Sequence, residues 1–210
     1  MTTVLVAGFG PFPGEPKNSS GDLARALGRR RRPALAGVRI VSAVLPTTYA
    51  AAHELPALLA KHDPDLVLFF GVAGRSRFVR IETRAVNAAS ALHPDAARAK
   101  PGRRAVVNHA PTELAVRAPV QRLAAAARTA GVPVRLSRDA GRYLCNAAFF
   151  ISLDAARRKA RPRGLAFVHI PRPRSPIPLG RRRARRPAAT ALVRAGEAIL
   201  VALLAGARRA

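Results

Sequence analysis

The sharpest chemical candidate in this chain is Cys145, the only cysteine among 210 residues. It stands in "LSRDAGRYLCNAAFF" (Leu136 to Phe150), after the strand-like "VPVRLS" has ended and as a helix-like segment begins. A thiol at a helix N-terminus meets the positive end of the dipole and unpaired N–H groups, which favour a thiolate and can hold an oxyanion. The same residue type also serves as an inert apolar filler. The partners decide. A thiolate nucleophile needs an imidazole to carry its proton and a third group to hold that ring.

The chain has five histidines. His53 and His62 fall in or at the end of a polar helical stretch, and His93 and His109 in loop-like stretches. His169 lies in "LAFVHIP", near the carboxyl end of an apolar strand-like run. That puts it on the same sheet edge as Cys145, where ligand sites form in open α/β sheets. A histidine in a core strand is also an ordinary hydrogen-bonded structural residue. Among the 11 acidic residues, Glu82 is unusual: it sits in the β-like run "RFVRIETRAVN", just after a glycine loop. Its plainer reading is a surface strand position paired to Arg80 or Arg84, worth ~0–1 kcal/mol.

The elements that must position these groups alternate. "TVLVAGF" (Thr3 to Phe9), "GVRIVSAVLP" (Gly37 to Pro46), "PDLVLFFGVAG" (Pro64 to Gly74), "RFVRIETRAVN" (Arg77 to Asn87), "VPVRLS" and "GLAFVHIP" read as strands. Helices are expected from Ser20 through "DLARAL", over "TYAAAHELPALLAKH" with Pro56 as a kink or break, over Ala118 to Gly131, from Cys145 to Ala160, and over Ala191 to Gly206. Residues Ala88 to Asn108 read as a loop that could cover the fold. Strands separated by helices indicate a three-layer α/β/α sandwich around a mostly parallel, mixed and twisted sheet. At 210 residues the simplest organisation is one domain over 1–210.

The chain carries 37 Lys plus Arg against 11 Asp plus Glu, a formal net charge of +26. Clustered cations bind phosphate backbones by releasing counterions, so nonspecific polyanion adsorption is expected at low salt. Arginine runs occur at "GRRRRP", "RRKARPR" and "GRRRARRP", but aromatic content is 5% and no tryptophan is present to stack on bases. A general bias toward Arg, Ala and Pro accounts for the charge equally well. No His, Asp or Glu cluster has metal-ligand spacing, so no metal is expected. "GFGPFPGEP" lacks the Gly-Lys-Ser/Thr ending of a phosphate loop. No apolar run approaches ~18 residues and no leader-like start is seen, so a cytoplasmic protein without a membrane segment is expected.

Four stretches together resemble type I pyroglutamyl peptidase (pyrrolidone-carboxylate peptidase), a cysteine peptidase family. "LSRDAGRYLCN" fits its cysteine signature, with Ser137, Ala140, Gly141, Tyr143, Leu144, Cys145 and Asn146 in place. "GVAGRSRFVRIETRAVN" fits its glutamate signature through Glu82, Ala85 and Asn87, "FVHIP" its histidine element, and "GFGPFPGEPKNSS" its opening. The resemblance implies Cys145 as nucleophile, His169 as general base and acid, and Glu82 as the group that orients the imidazole. It also implies cofactor-free removal of N-terminal pyroglutamate from peptides, and a dimer or tetramer. Phe9, Phe12, Asn18, Val72 and Tyr143 would then contact the substrate; Phe9 and Phe12 are otherwise ordinary core packing, and Asn18 otherwise fixes its loop. The chain departs from the family pattern at Val72, where many members have Gln, at Arg75 to Arg77, at Thr83, at Pro13 and in the arginine-rich tail from Pro171 to Pro187. The alternatives are a related small-amide or acyl hydrolase with the same triad, or a basic polyanion-binding protein on the same fold.

Overall fold

The computed structural model describes residues 1–174 and 186–208. The arginine run from Gly180 to Arg185 and most of the Pro171–Pro187 tail lie outside the described residues.

A six-stranded sheet runs in the order β2-β1-β3-β8-β4-β7. It comprises β1 (Thr2–Phe9), β2 (Val38–Leu45), β3 (Leu66–Val72), β4 (Val79–Glu82), β7 (Val134–Ser137) and β8 (Gly164–Ile170). All pairings are parallel except β4 with β8, which is antiparallel. A second sheet pairs β5 (Arg84–Val86) with β6 (Glu113–Ala115). Parallel strands covered on both faces read as continuous apolar runs, as β1, β3 and β8 do.

Alternation along those strands divides the core in two. Val4, Val6, Leu66, Leu68, Phe70, Ala166 and Val168 face α1 (Ser19–Gly28), α4 (Val120–Thr129) and α6 (Ala189–Ala207). Leu5, Ala7, Phe9, Val67, Phe69, Leu165 and Phe167 face the other layer, with α2 (Tyr49–His53), α3 (Leu55–His62) and α5 (Leu144–Lys159). His169 and Gly71, by the same alternation, belong to the α5 face. On antiparallel β4, Val79 and Ile81 join the first core, so Arg80 and Glu82 also turn toward α5.

The α/β/α layering is as expected, with three local differences. The stretch from Thr48 to His62 is two helices, because Glu54 ends one and Pro56 sits in the first turn of the next, where its missing N–H is tolerated. The run from Arg77 to Asn87, expected as one strand, is two: at Thr83 the chain leaves the main sheet, its N–H donating to Ser137 O while its own carbonyl accepts from Val116. The third concerns α6, whose 19 residues are long and apolar enough to cross a membrane by composition, despite Arg194 and Glu197. Leu192, Ala195, Gly196, Ile199, Leu200, Leu203 and Leu204 of that helix are nevertheless buried against the sheet layer.

Residues 88–108 have neither helix nor strand, yet they are tied down. Asp95, 1% exposed, accepts from Ala97 and Ala99 through Oδ1 and from Tyr49 N through Oδ2. Asn87 makes reciprocal bonds to the backbone of Val107. Val106 and Ala89 pack into the α5 core, so the stretch does cover that helix.

Close approach of α1 to β1 depends on Gly8, where an added Cβ would stand 2.1 Å from Ser20 O. Backbone cannot yield as a flexible side-chain tip does. Gly8→Ala is expected to cost about 3 kcal/mol or more, the top of the overpacking range, read as a fall in the urea midpoint.

Candidate active site

Cys145 is the second residue of α5 and is half-buried. Tyr143 stands at the N-cap in extended conformation with no side-chain cap. The first backbone bond of the helix runs from Ala147 N to Tyr143 O. Among the described residues, no acceptor engages the N–H groups of Leu144, Cys145 and Asn146, so all three are available at the helix tip.

The next residue fixes the helix end. Asn146 is fully buried; its Oδ1 accepts from Val86 N at 2.9 Å and its Nδ2 donates to Val86 O and Ala88 O. An amide side chain engaged on three backbone groups of the segment that follows Glu82 couples the cysteine's position to the glutamate's.

Opposite them, His169 pairs with Gly71 across β3–β8 and with Arg80 across β4–β8. Glu82 lies two residues further along β4 on the same face, a diagonal cross-strand neighbour of His169. His169 Nδ1 is 2.8 Å from Glu82 Oε1, and both residues are buried. With Nδ1 engaged there, Nε2 is the ring nitrogen left for Cys145. Gly71 supplies the room: a Cβ on it would meet Cys145 Sγ at 2.9 Å, Phe167 Cε1 at 3.0 Å and His169 Cδ2 at 3.1 Å.

Burial pulls the His169 pKa down, but hydrogen bonds to Cys145 and Glu82, and their negative charges, push it up to about 9. The imidazole is therefore held as imidazolium at neutral pH. An unfolded histidine loses its proton near 6.5. The stability this site contributes is thus fully present below pH 6.5 and is lost as pH rises through about 9.

The surrounding cavity holds about 250 Å³ and is lined by Phe9, Phe12, Asn18, Val72, Tyr143, Cys145 and His169, together with Arg80 and the 139–141 loop. Every candidate catalytic or substrate-contact residue is therefore in or directly behind one hollow, Glu82 being the one behind. Phe12 packs on Tyr143 at 5.9 Å and Phe9 on Phe167 at 6.2 Å. Burial pushes the Tyr143 phenol up to about 12, and its hydroxyl donates to Pro94 O at 2.8 Å. Asn18 caps α1 through Oδ1 and donates to Gly10 O at 2.9 Å, so its polar atoms are engaged in shaping the wall.

Sequence reasoning missed Thr47 and Asp139 as lining residues and treated Arg80 only as a surface partner. Arg80 Nε stands 3.3 Å from Glu82 Oε1, and its Nη2 donates to Ser137 Oγ and to Asp139 O. The available signal was its spacing, two residues before Glu82 on one strand face. The other four histidines, three of them exposed, line none of this cavity. Among the described residues no cluster of His, Cys, Asp and Glu has the arrangement of a metal site.

Residues 2–200 match a family model described as pyroglutamyl peptidase. Relatives include the pyrrolidone-carboxylate peptidase of Thermococcus kodakarensis, 34% identical over 169 residues, 80% of either chain. Pyrrolidone-carboxylate peptidase 1 of Ralstonia nicotianae is 36% identical over 173 residues, 81% of this chain and 79% of that one. Among solved structures, a mutant pyrrolidone carboxyl peptidase from Pyrococcus furiosus superposes with a TM-score of 0.87 at 25% identity, covering 98% of this chain and 100% of that one. The pyrrolidone carboxyl peptidase of Thermococcus litoralis gives 0.87 at 27% identity, covering 100% and 96%. With the family model spanning nearly its whole length, the chain belongs to the pyroglutamyl peptidase family.

Proposed function

We propose that this chain is a cysteine exopeptidase that removes N-terminal pyroglutamate from peptides, with Cys145, His169 and Glu82 as its catalytic groups. The observation that carries this reading is the convergence of the three at one cavity, Cys145 and His169 on its lining and Glu82 behind the imidazole, bonded to His169 Nδ1.

The steps follow from the geometry. The sulfur attacks the carbonyl carbon of the pyroglutamyl residue as thiolate, the nucleophilic form of a cysteine, with His169 beside it to carry the proton. Negative charge developing on the carbonyl oxygen is met by the unpaired N–H groups at the tip of α5. His169 gives its proton to the leaving nitrogen as the peptide bond breaks, which leaves a thioester on Cys145. Water then attacks the thioester, His169 takes a proton from it, and pyroglutamate departs. Glu82 holds the ring in the tautomer this requires and stabilises its charged form.

The lactam ring has no charged amine, so a slot walled by Phe9, Phe12, Val72 and Tyr143 suits it better than a carboxylate anchor would. Residues 1–210 act as one hydrolytic unit without a cofactor, and the resemblance adds a dimer or tetramer. The +26 charge gives weak adsorption to polyanions that fades by ~0.2 M salt.

Wild-type protein is expected to release a fluorophore from its pyroglutamyl amide. Cys145→Ala should abolish that release while leaving the melting temperature close to wild type, and turnover surviving the change overturns the mechanism. In a pH series, kcat/KM should fall as pH passes about 9 and His169 loses the proton it donates. Glu82→Gln removes one of the groups that raise His169, so that alkaline limb should move toward acid by about one unit; an unmoved limb would separate Glu82 from the imidazole. Gly71→Ala fills the space between sulfur and ring, and should cut kcat by at least about a hundredfold, because a displaced reacting pair loses its alignment.

A further inference from the structure

We propose that Arg172, three residues beyond His169, is a positioning residue that holds the apolar wall of the cavity by tying together the loops that follow β1, β3 and β8. Its kinetic consequences rest on the peptidase reading above; its structural consequences do not.

The guanidinium reaches back across the carboxyl end of the sheet. Arg172 Nε donates to Glu15 Oε2 at 2.7 Å and Nη2 donates to Gly14 O at 2.9 Å. Glu15 is only 6% exposed, and among the described residues Arg172 is the one cation paired with it. A buried carboxylate stripped of its counter-charge is costly, so the pair is built into the loop and is no chance surface contact.

Glu15 is joined to Phe12 by backbone bonds in both directions, at 3.3 and 2.8 Å. Gripping Glu15 and Gly14 therefore grips the closed end of the turn that carries Phe12. The Phe12 ring packs on Tyr143, so this turn forms one wall of the cavity.

The third loop meets the flat side of the same group. A Cβ on Gly74 would stand 3.2 Å from Arg172 Cζ, Nε and Nη2, so the guanidinium lies over that residue. Gly74 directly follows Val72 and Ala73, which line the cavity. Arg186 Nη2 adds a bond to Gly74 O at 2.9 Å from the other side of the tail. A planar fork can bridge a carboxylate and a carbonyl while stacking on a peptide; a lysine ammonium, a single point donor, cannot do all three. None of these partners is Cys145, His169 or Glu82. The clasp therefore sets how well the ring slot is formed and leaves the bond-breaking groups where β4, β8 and α5 put them.

The test measures kinetics on a pyroglutamyl amide of aminomethylcoumarin, with hydrogen–deuterium exchange on the same proteins. Arg172→Leu should raise KM by about tenfold with kcat nearly unchanged, and Arg172→Lys should fall between it and wild type. Gly74→Ala crowds the guanidinium, so it should raise KM by a smaller factor and add nothing in the Arg172→Leu background. Exchange of residues 10–17 should quicken in Arg172→Leu while α5 is unaffected. A fall in kcat at constant KM, or exchange of residues 10–17 no faster than wild type, overturns the proposal. Where Arg172→Leu destabilises the whole protein through an uncompensated Glu15, the Arg172→Leu/Glu15→Gln pair removes that charge and must still show the raised KM. A wild-type protein inert on the amide sinks the peptidase reading alone, and the exchange comparison then decides the clasp by itself.

Discussion

The antiparallel pairing of β4 with β8 is the constraint from which the site follows. In that register Arg80 faces His169 and Ile81 faces Val168, which leaves Glu82 diagonal to the imidazole on the α5 side. A slip of one residue would turn Glu82 into the opposite core, among Leu123, Ala124 and Ile199, and bring Ile81 to face the imidazole. An unpaired carboxylate in that core would be strongly destabilising. Val79 and Ile81, 1% and 0% exposed, hold the register from the other face. The hydrogen bond between Glu82 and His169 is thus a by-product of apolar packing on the side of the sheet that does no chemistry.

The third group reaches the same place by a different route. Eleven residues of α5 are buried, among them Phe149, Phe150 and Leu153, so its depth in the layer is a packing result. Asn146 then hooks its first turn onto Val86 and Ala88. The strand beneath provides no side chain at Gly71, and the sulfur and the imidazole edge share that vacancy. A helix, two strands and one missing methyl group converge on the sulfur and the imidazole. Loss of any one of them misplaces the pair without touching either member.

Cys145, His169 and Glu82 are legible in the sequence because each breaks the pattern of its own element. One is a thiol at a strand-to-helix junction, one an imidazole in a run of Leu, Ala, Phe, Val and Ile, and one an acid in a β-like stretch. The parallel strands are legible for the opposite reason, since unbroken apolar runs leave little choice. What is hidden depends on distant partners. Arg80 looks like a solvent-facing strand residue until Ser137 and Asp139, 57 and 59 positions away, fold over it. The break at Thr83 is set by hydrogen bonds to Ser137 and Val116, and β6 is three residues long with two of them exposed, too short to show a period. Asp95 carries no sequence mark at all, yet it fastens residues 95–99 to the start of α2.

The arginine excess divides according to the acid each guanidinium meets. Asp63, which takes Arg161, lies at the surface, where such a pair contributes ~0–1 kcal/mol. Asp65, Glu82, Glu15, Glu197 and Asp154 are mostly or fully buried, and each has an arginine against it. There the arginine's value lies in what its removal would expose. The broad hollow lined by Arg30, Arg31, Arg32 and Arg39 looks at first like an anion site. Its guanidinia already engage Glu197, Gly28 O, Arg30 O, Thr3 Oγ1 and His62 O, and among the described residues its lining has no aromatic ring to stack on a base. A polyanion there would have to displace internal partners for a contact that reads no sequence. Among the described residues, the arginine that faces both the cavity and a buried acid is Arg80, and the repulsion among the others is screened by salt.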